Sequence, residues 1–179
     1  MSEKKSKGQE RYDALAYEKK NYFETASEEE RRVMFAYAEG YKAFLNEAKT
    51  EREACAAAVR MARERGFTEY RFGDSLAAGD KKYFVNRGKS VVVFRVGTRN
   101  LEEDGLRIIA SHIDAPRVDV KQNPLYEEAG MCFLKTHYYG GLKKYQWTAI
   151  PLALHGVVVR KDGSRVELRV GEAPDDPVF

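Results

Sequence analysis

Leu106-Arg107-Ile108-Ile109-Ala110-Ser111-His112-Ile113-Asp114 is an apolar run that ends in an imidazole, with a carboxylate two residues further on. Side chains alternate across a strand, so Ile108, Ala110, His112 and Asp114 share one face and Ile109, Ser111 and Ile113 the other. A run apolar on both faces predicts a central strand of an α/β sheet, and the carboxyl ends of such strands are where α/β proteins place their sites. A histidine taken alone is more often structural than catalytic. At a strand end, beside a carboxylate that can fix its tautomer, His112 reads as a metal ligand and Asp114 as its orienting partner.

Upstream, residues 90–96 are β-branched and apolar nearly throughout, and they predict a second central strand. The polar connection 97–105 is too short for a helical crossover, so the two strands are expected to pair antiparallel. Two capping boxes precede them, Ser27-Glu28-Glu29-Glu30 and Thr50-Glu51-Arg52-Glu53. The first opens a helix of about five turns whose apolar stripe is Val33, Met34, Tyr37, Ala38, Tyr41, Phe44 and Leu45. The second opens a helix lined by Cys55, Ala58, Val59 and Ala62 and closed by Gly66 as its left-handed cap. The two are expected to pack as a hairpin, with Cys55 as a small buried hydrophobe. Residues 69–72 and 83–85 read as short strands around a turn at Gly79-Asp80-Lys81, and residues 1–11 as a frayed terminus.

Beyond Ala115-Pro116 the pattern turns to β without helices. Val118 and Val120 alternate, Asn123-Pro124-Leu125-Tyr126 reads as a turn, and residues 131–137 as a strand leading to the aromatic loop Tyr138-Tyr139-Gly140-Gly141-Leu142. Residues 150–159 and 166–170 flank Asp162-Gly163, a hairpin signal. These changes place a domain boundary near residue 115, dividing the chain into 1–115 and 116–179. Two more histidines fall in the second part. His137 precedes the paired glycines, which suit either a substrate-contacting loop or a plain tight turn. His155 lies in an apolar run, aligned with Ala153 and Val157, and reads as a core or interface histidine.

Composition narrows the class. The chain has 179 residues, 43% of them hydrophobic and 33% charged, as a globular protein has. Its formal charge of +3 gives little support to nucleic-acid binding. Two cysteines, Cys55 and Cys132, make no disulfide framework; with no secretory leader and no apolar run of spanning length, the expected location is the cytoplasm, with no membrane partner. Phosphate-binding glycine loops, a Gly-x-Ser-x-Gly elbow and the compact His-Glu-x-x-His metal motif are all missing.

Several strings together resemble one family. Ile109-Ala110-Ser111-His112-Ile113-Asp114-Ala115-Pro116-Arg117 is similar to the first metal-ligand segment of the M18 metallo-aminopeptidases, the aspartyl-aminopeptidase family. Lys121-Gln122-Asn123-Pro124-Leu125-Tyr126-Glu127 matches the segment that follows it there. His137-Tyr138-Tyr139-Gly140-Gly141-Leu142-Lys143-Lys144-Tyr145-Gln146-Trp147 resembles the bacterial branch, and Pro151-Leu152-Ala153-Leu154-His155-Gly156-Val157 continues in register.

The resemblance implies a zinc-exopeptidase-like α/β catalytic domain, here its N-terminal portion, with the start of an inserted β-rich dimerisation domain. It implies a hydrolase that removes N-terminal residues from peptides with two Zn2+ ions sharing a bridging water, Co2+ or Mn2+ being alternatives at such N/O sites. His112 would ligate one metal, Asp114 would support the site catalytically, and a glutamate would act as general base. Tyr139, Gly140, Gly141 and His155 would serve substrate or interface roles, His155 reaching toward a neighbouring protomer. Homo-oligomers built from dimers, up to dodecamers, are implied for the full-length form. The remaining ligands of the family lie beyond the matched strings, so the short chain is expected to be inactive alone. A non-catalytic oligomerisation module is the competing reading; a nucleic-acid binder using Lys143, Lys144, Tyr145 and Trp147 is a third.

Overall fold

The computed structural model describes residues 5–17, 19–113 and 115–179. In chain order its elements are α1 (Lys7–Leu15), α2 (Tyr22–Thr25), α3 (Glu28–Glu47), α4 (Glu51–Glu64), β1 (Thr68–Glu69), β2 (Lys81–Asn86), β3 (Ser90–Arg95), α5 (Leu101–Asp104), β4 (Arg117–Glu128), β5 (Met131–Tyr139), α6 (Lys144–Trp147), β6 (Leu154–Val159) and β7 (Arg165–Val170). The chain divides into two compact units, Met1–Lys42 and Ala43–Phe179.

In the first unit both expected and unexpected helices form. Ser6 caps α1 through Gln9 N–H, so the segment read as frayed holds a helix. The Ser27 box is complete: Ser27 N–H donates to Glu30 Oε2 at 2.8 Å and Glu30 N–H to Ser27 Oγ at 3.3 Å. Tyr22 Oη–H also donates to Glu30, at 2.7 Å. The Tyr22 bond, followed by those from Ser27, pulls the Glu30 carboxyl down to about 2.

The second unit is organised by α4. Its N-cap is present, with Glu53 N–H donating to Thr50 Oγ1 at 3.3 Å and the Thr50 hydroxyl, rather than its N–H, donating to Glu53 Oε2 at 3.0 Å. At the other end Phe67 N–H reaches Ala62 O and Gly66 N–H reaches Arg63 O, with Gly66 at φ +80°, the double bond of a Schellman cap. The face carrying Ala54, Cys55, Ala57 and Ala62 is buried, and α4 packs on β2 and β3. Tyr83 of β2, 2% exposed, accepts a hydrogen bond from Arg63 Nε at 2.8 Å. Burial raises the Cys55 thiol above its ordinary value, as for an inert small hydrophobe.

Sheet pairing departs from expectation. The first sheet has the order β1-β2-β3, with β1 parallel to β2 and β2 antiparallel to β3 from Lys81↔Arg95 to Asn86↔Ser90. β3 is therefore an edge strand with Val92 and Val93 exposed, not a central strand paired with the run after it. Residues 105–113 form no strand, and Ile109 is fully exposed. A strand apolar on both faces needs neighbouring strands and a cover on each face, and none is supplied among the described residues. Val33, Tyr37, Tyr41 and Leu45 of the α3 stripe are exposed, and α4 lays its small-residue face on the sheet.

Two antiparallel hairpins complete this unit. β4 pairs with β5, and the Asn123-Pro124 segment read as a turn lies inside β4 as a register shift between Val120 and Leu125. Proline has no N–H for the ladder, so the irregularity accommodates it. Tyr138 and Tyr139, expected in a loop, are the last residues of β5, and the short α6 interrupts the all-β pattern. β6 and β7 pair from Leu154↔Val170 to Val159↔Arg165 across the Asp-Gly turn, as the sequence predicts.

Two outcomes follow. The β4–β5 turn places Ala129 at φ +52° and Gly130 at φ +73°, and a Cβ in this region is costly. Ala129→Asn is expected to stabilise the protein by about 1 kcal/mol, read as a higher urea midpoint at unchanged slope. Glu30 is depressed in the folded state, so its contribution to the α3 cap is fully present above the ordinary glutamate value of 4.5 and lost as pH falls toward about 2. Amide exchange of Ser27 and Glu30, corrected for intrinsic rate, is expected to rise at a higher pH in Tyr22→Phe than in wild type, because the Tyr22 bond is the largest influence keeping Glu30 ionised.

Candidate functional site

His112 lines a cleft of about 300 Å³ together with Glu51, Lys89, Ser111, Arg117 and Tyr139. The cleft is formed where the first turn of α4, the β2–β3 turn and the paired ends of β4 and β5 converge. Arg117 and Tyr139 are direct partners in the β4–β5 register, which places the guanidinium 4.1 Å from the centre of the phenol ring. Arg117 Nε donates to Asp119 Oδ1 at 2.7 Å, and its Nη1 lies 4.0 Å from Glu51 Oε2. Lys89 Nζ stands 4.0 Å from the other Glu51 oxygen. The cleft thus sets two cations, Lys89 and Arg117, against the Glu51 carboxylate beside an exposed imidazole, with Asp119 bonded to Arg117.

Gly140 explains how the β5 end comes so close. Its φ is +74°, and a Cβ there would lie 3.4 Å from Pro116 Cα. Tyr139 therefore lines the cleft with His112 and Gly140 stands against Pro116, whereas Gly141 has open space around it. Asp114 lies outside the described residues. His137 sits in β5 opposite Asp119 rather than in the glycine loop.

His155 goes elsewhere. Its Nδ1 is 2.9 Å from Glu53 Oε1 and its Nε2 is 3.0 Å from Glu172 Oε1, with the ring side chain 11% exposed. Arg169 Nε lies 3.1 Å from the same Glu53 oxygen. Burial pushes the Glu53 carboxyl up, but hydrogen bonds from His155 and Thr50 and the charges of His155 and Arg169 outweigh it, leaving Glu53 below its usual value. In the sequence Glu51 and Glu53 are accounted for by the capping box alone; a carboxylate that caps its own helix gives no sign of a second partner far along the chain.

Among the described residues no group of three or more His, Cys, Asp or Glu side chains is arranged to hold a metal ion. One imidazole beside a carboxylate already faced by Lys89 and Arg117 does not make the donor set that two metals require. The described residues therefore do not by themselves fit a di-metal centre.

Residues 44–179 match the family profile described as aminopeptidase I zinc metalloprotease (M18). The chain belongs to the M18 aminopeptidase family. It is 43% identical over 169 residues to a probable M18 family aminopeptidase 1 of Clostridium acetobutylicum, covering 92% of this chain and 36% of that protein. A probable M18 family aminopeptidase 1 of Thermotoga maritima is 42% identical over 167 residues, with the same shares. Among solved structures, aminopeptidase I from Borrelia burgdorferi superposes with a TM-score of 0.83 at 42% identity, over 89% of this chain and 39% of that one. The α/β fold is thus that of M18 aminopeptidases, and the chain spans about a third of the length of these relatives. No described helix is long and apolar enough to cross a membrane.

Gly140→Ala tests the junction between the β5 end and the His112 segment. Left-handed strain together with the contact on Pro116 is expected to cost about 1–2 kcal/mol, seen in urea unfolding. The His112 ring resonances should move with it. An unchanged His112 signal would separate the glycine from the cleft.

Proposed function

We propose that this chain is the N-terminal part of a metal-dependent M18 aminopeptidase that removes N-terminal residues from peptides. The observation that carries the reading is the continuous match over 92% of the chain, with His112 lining a cleft at the end of the matched apolar run. In this reading residues 1–115 contribute to the catalytic domain and residues 116–179 begin a β-rich oligomerisation domain. His112 is one zinc ligand, and Asp114 orients it; Tyr139, Gly140 and Gly141 form one wall for the substrate. Zn2+ is the favoured metal, with Co2+ or Mn2+ as substitutes. Among the described residues no group of three or more metal-capable side chains stands together, so in this reading the other ligands belong to the parts of the family's length that this match does not cover, the chain alone is inactive, and the working form is a cytoplasmic homo-oligomer.

A second reading, a non-catalytic assembly module, is favoured by exposure. Val92 and Val93 on the β3 edge and Val158 and Val159 of β6 are left exposed, as apolar strand side chains that a partner would cover.

The two readings separate in one experiment. The chain is co-expressed with the remaining two thirds of the T. maritima relative, and the pair is assayed for bound zinc and for hydrolysis of aminoacyl p-nitroanilides. The enzyme reading expects about two metals per pair, with activity, and the loss of one metal in His112→Ala. A folded pair without metal or hydrolysis would leave the assembly reading.

A further inference from the structure

We propose that His155 is a pH-operated latch that fastens the β6–β7 hairpin to the first turn of α4, closed when the ring carries both protons. Each ring nitrogen faces a carboxylate oxygen, Nδ1 that of Glu53 at 2.9 Å and Nε2 that of Glu172 at 3.0 Å. An ionised carboxylate only accepts hydrogen bonds. An imidazolium donates to both oxygens at once. A neutral ring has a single N–H, so it satisfies one carboxylate and turns a lone pair toward the other.

The charges around the ring make the same point. Glu53 faces it from α4, Glu172 from the turn after β7, and Arg169 of β7 lies against Glu53. Glu47, at the end of α3, is held by Arg60 at 2.6 Å and also feels Arg169. Glu51, on the same turn as Glu53, is directed to Lys89 and Arg117. With the ring charged, the immediate group of Glu53, Glu172, His155 and Arg169 is neutral. With the ring neutral, one negative charge is left over in a place where both His155 and Glu53 are largely shielded from solvent.

The surrounding scaffold does not titrate in the same range. Asp176 Oδ2 accepts the backbone N–H groups of Gly171, Glu172 and Ala173 at 2.9, 3.2 and 3.0 Å, and so fixes the turn that presents Glu172. Gly171 is indispensable to that turn, since a Cβ would come within 2.9 Å of Ala153 Cα. The bonds from Ala173 and Gly171 hold the Asp176 carboxyl below its ordinary value, and Glu53 is also lowered. Both stay ionised through the range in which imidazoles change charge. The latch is therefore fully closed on the acid side of the imidazole titration and opens as pH rises through it.

The test uses the 179-residue protein. Side-chain nitrogen NMR follows His155 from pH 5 to 9, while hydrogen exchange, corrected for intrinsic rate, follows the amides of β6, β7 and the first turn of α4. Wild type should lose about tenfold in protection once the His155 ring has given up its second proton, the size of one charge-assisted hydrogen bond. His155→Gln should be weakly protected at both ends of the pH range. Glu172→Gln should be protected at both, because the amide can accept from a charged ring or donate to a neutral one. A wild-type profile that stays flat overturns the latch, as does a step of equal size in His155→Gln. If His155→Gln does not fold, Glu172→Gln decides alone: a pH step that survives there rules the latch out.

Discussion

The first turn of α4 is the constraint on which the larger unit depends. Thr50 closes the helix end, and the next residues project two carboxylates in different directions. Glu51 faces the cations at the end of β4 and the β2–β3 turn, and Glu53 faces the histidine and arginine of the last hairpin. The opposite face of the same helix lies on β2 and β3 through alanines and a cysteine. Small side chains let the helix approach closely, and the charged turn then reaches both hairpins. Few large apolar side chains are buried here, so directional polar contacts set more of the geometry than they would in a closed core.

What the sequence revealed and what it hid follow from the range of each signal. Capping boxes, the glycine cap at Gly66 and the Asp162-Gly163 turn are decided within a few residues, and all are found where the pattern places them. The strand expected at 106–113 depends on neighbours, and periodicity states only which faces want burial. The same limit exposes the stripe of α3. Asn123-Pro124 carries turn chemistry that a register shift absorbs without leaving the strand. At the candidate site, His112 was legible because an apolar run delivers it. Glu51 and Arg117 were not, since capping and alternation had already given each a sufficient local explanation. The partners of His155 lie 102 and 17 residues away, beyond any local pattern.

Membership of the M18 family gives these gaps a common meaning. The chain matches about a third of its relatives' length, and the apolar surfaces left uncovered are the expected strand at 106–113, the β3 edge and one face of α3. A sheet edge and an amphipathic helix face are ordinary parts of a layered α/β domain. The metal question has the same form: His112 is presented to a cleft, while the donors that would accompany it are not among the described residues.

The extended stretch before His112 also has a topological consequence. Arg107 is exposed in a segment without backbone ladder bonds, which is the kind of site that trypsin-like proteases enter first. A single cut there would leave the α4 sheet on one polypeptide and both C-terminal hairpins on another. The halves would then be held together across the cut by the carboxylates of α4 and their basic partners. Contacts of that type weaken with ionic strength, so a nicked molecule would stay whole in dilute buffer and part in concentrated salt.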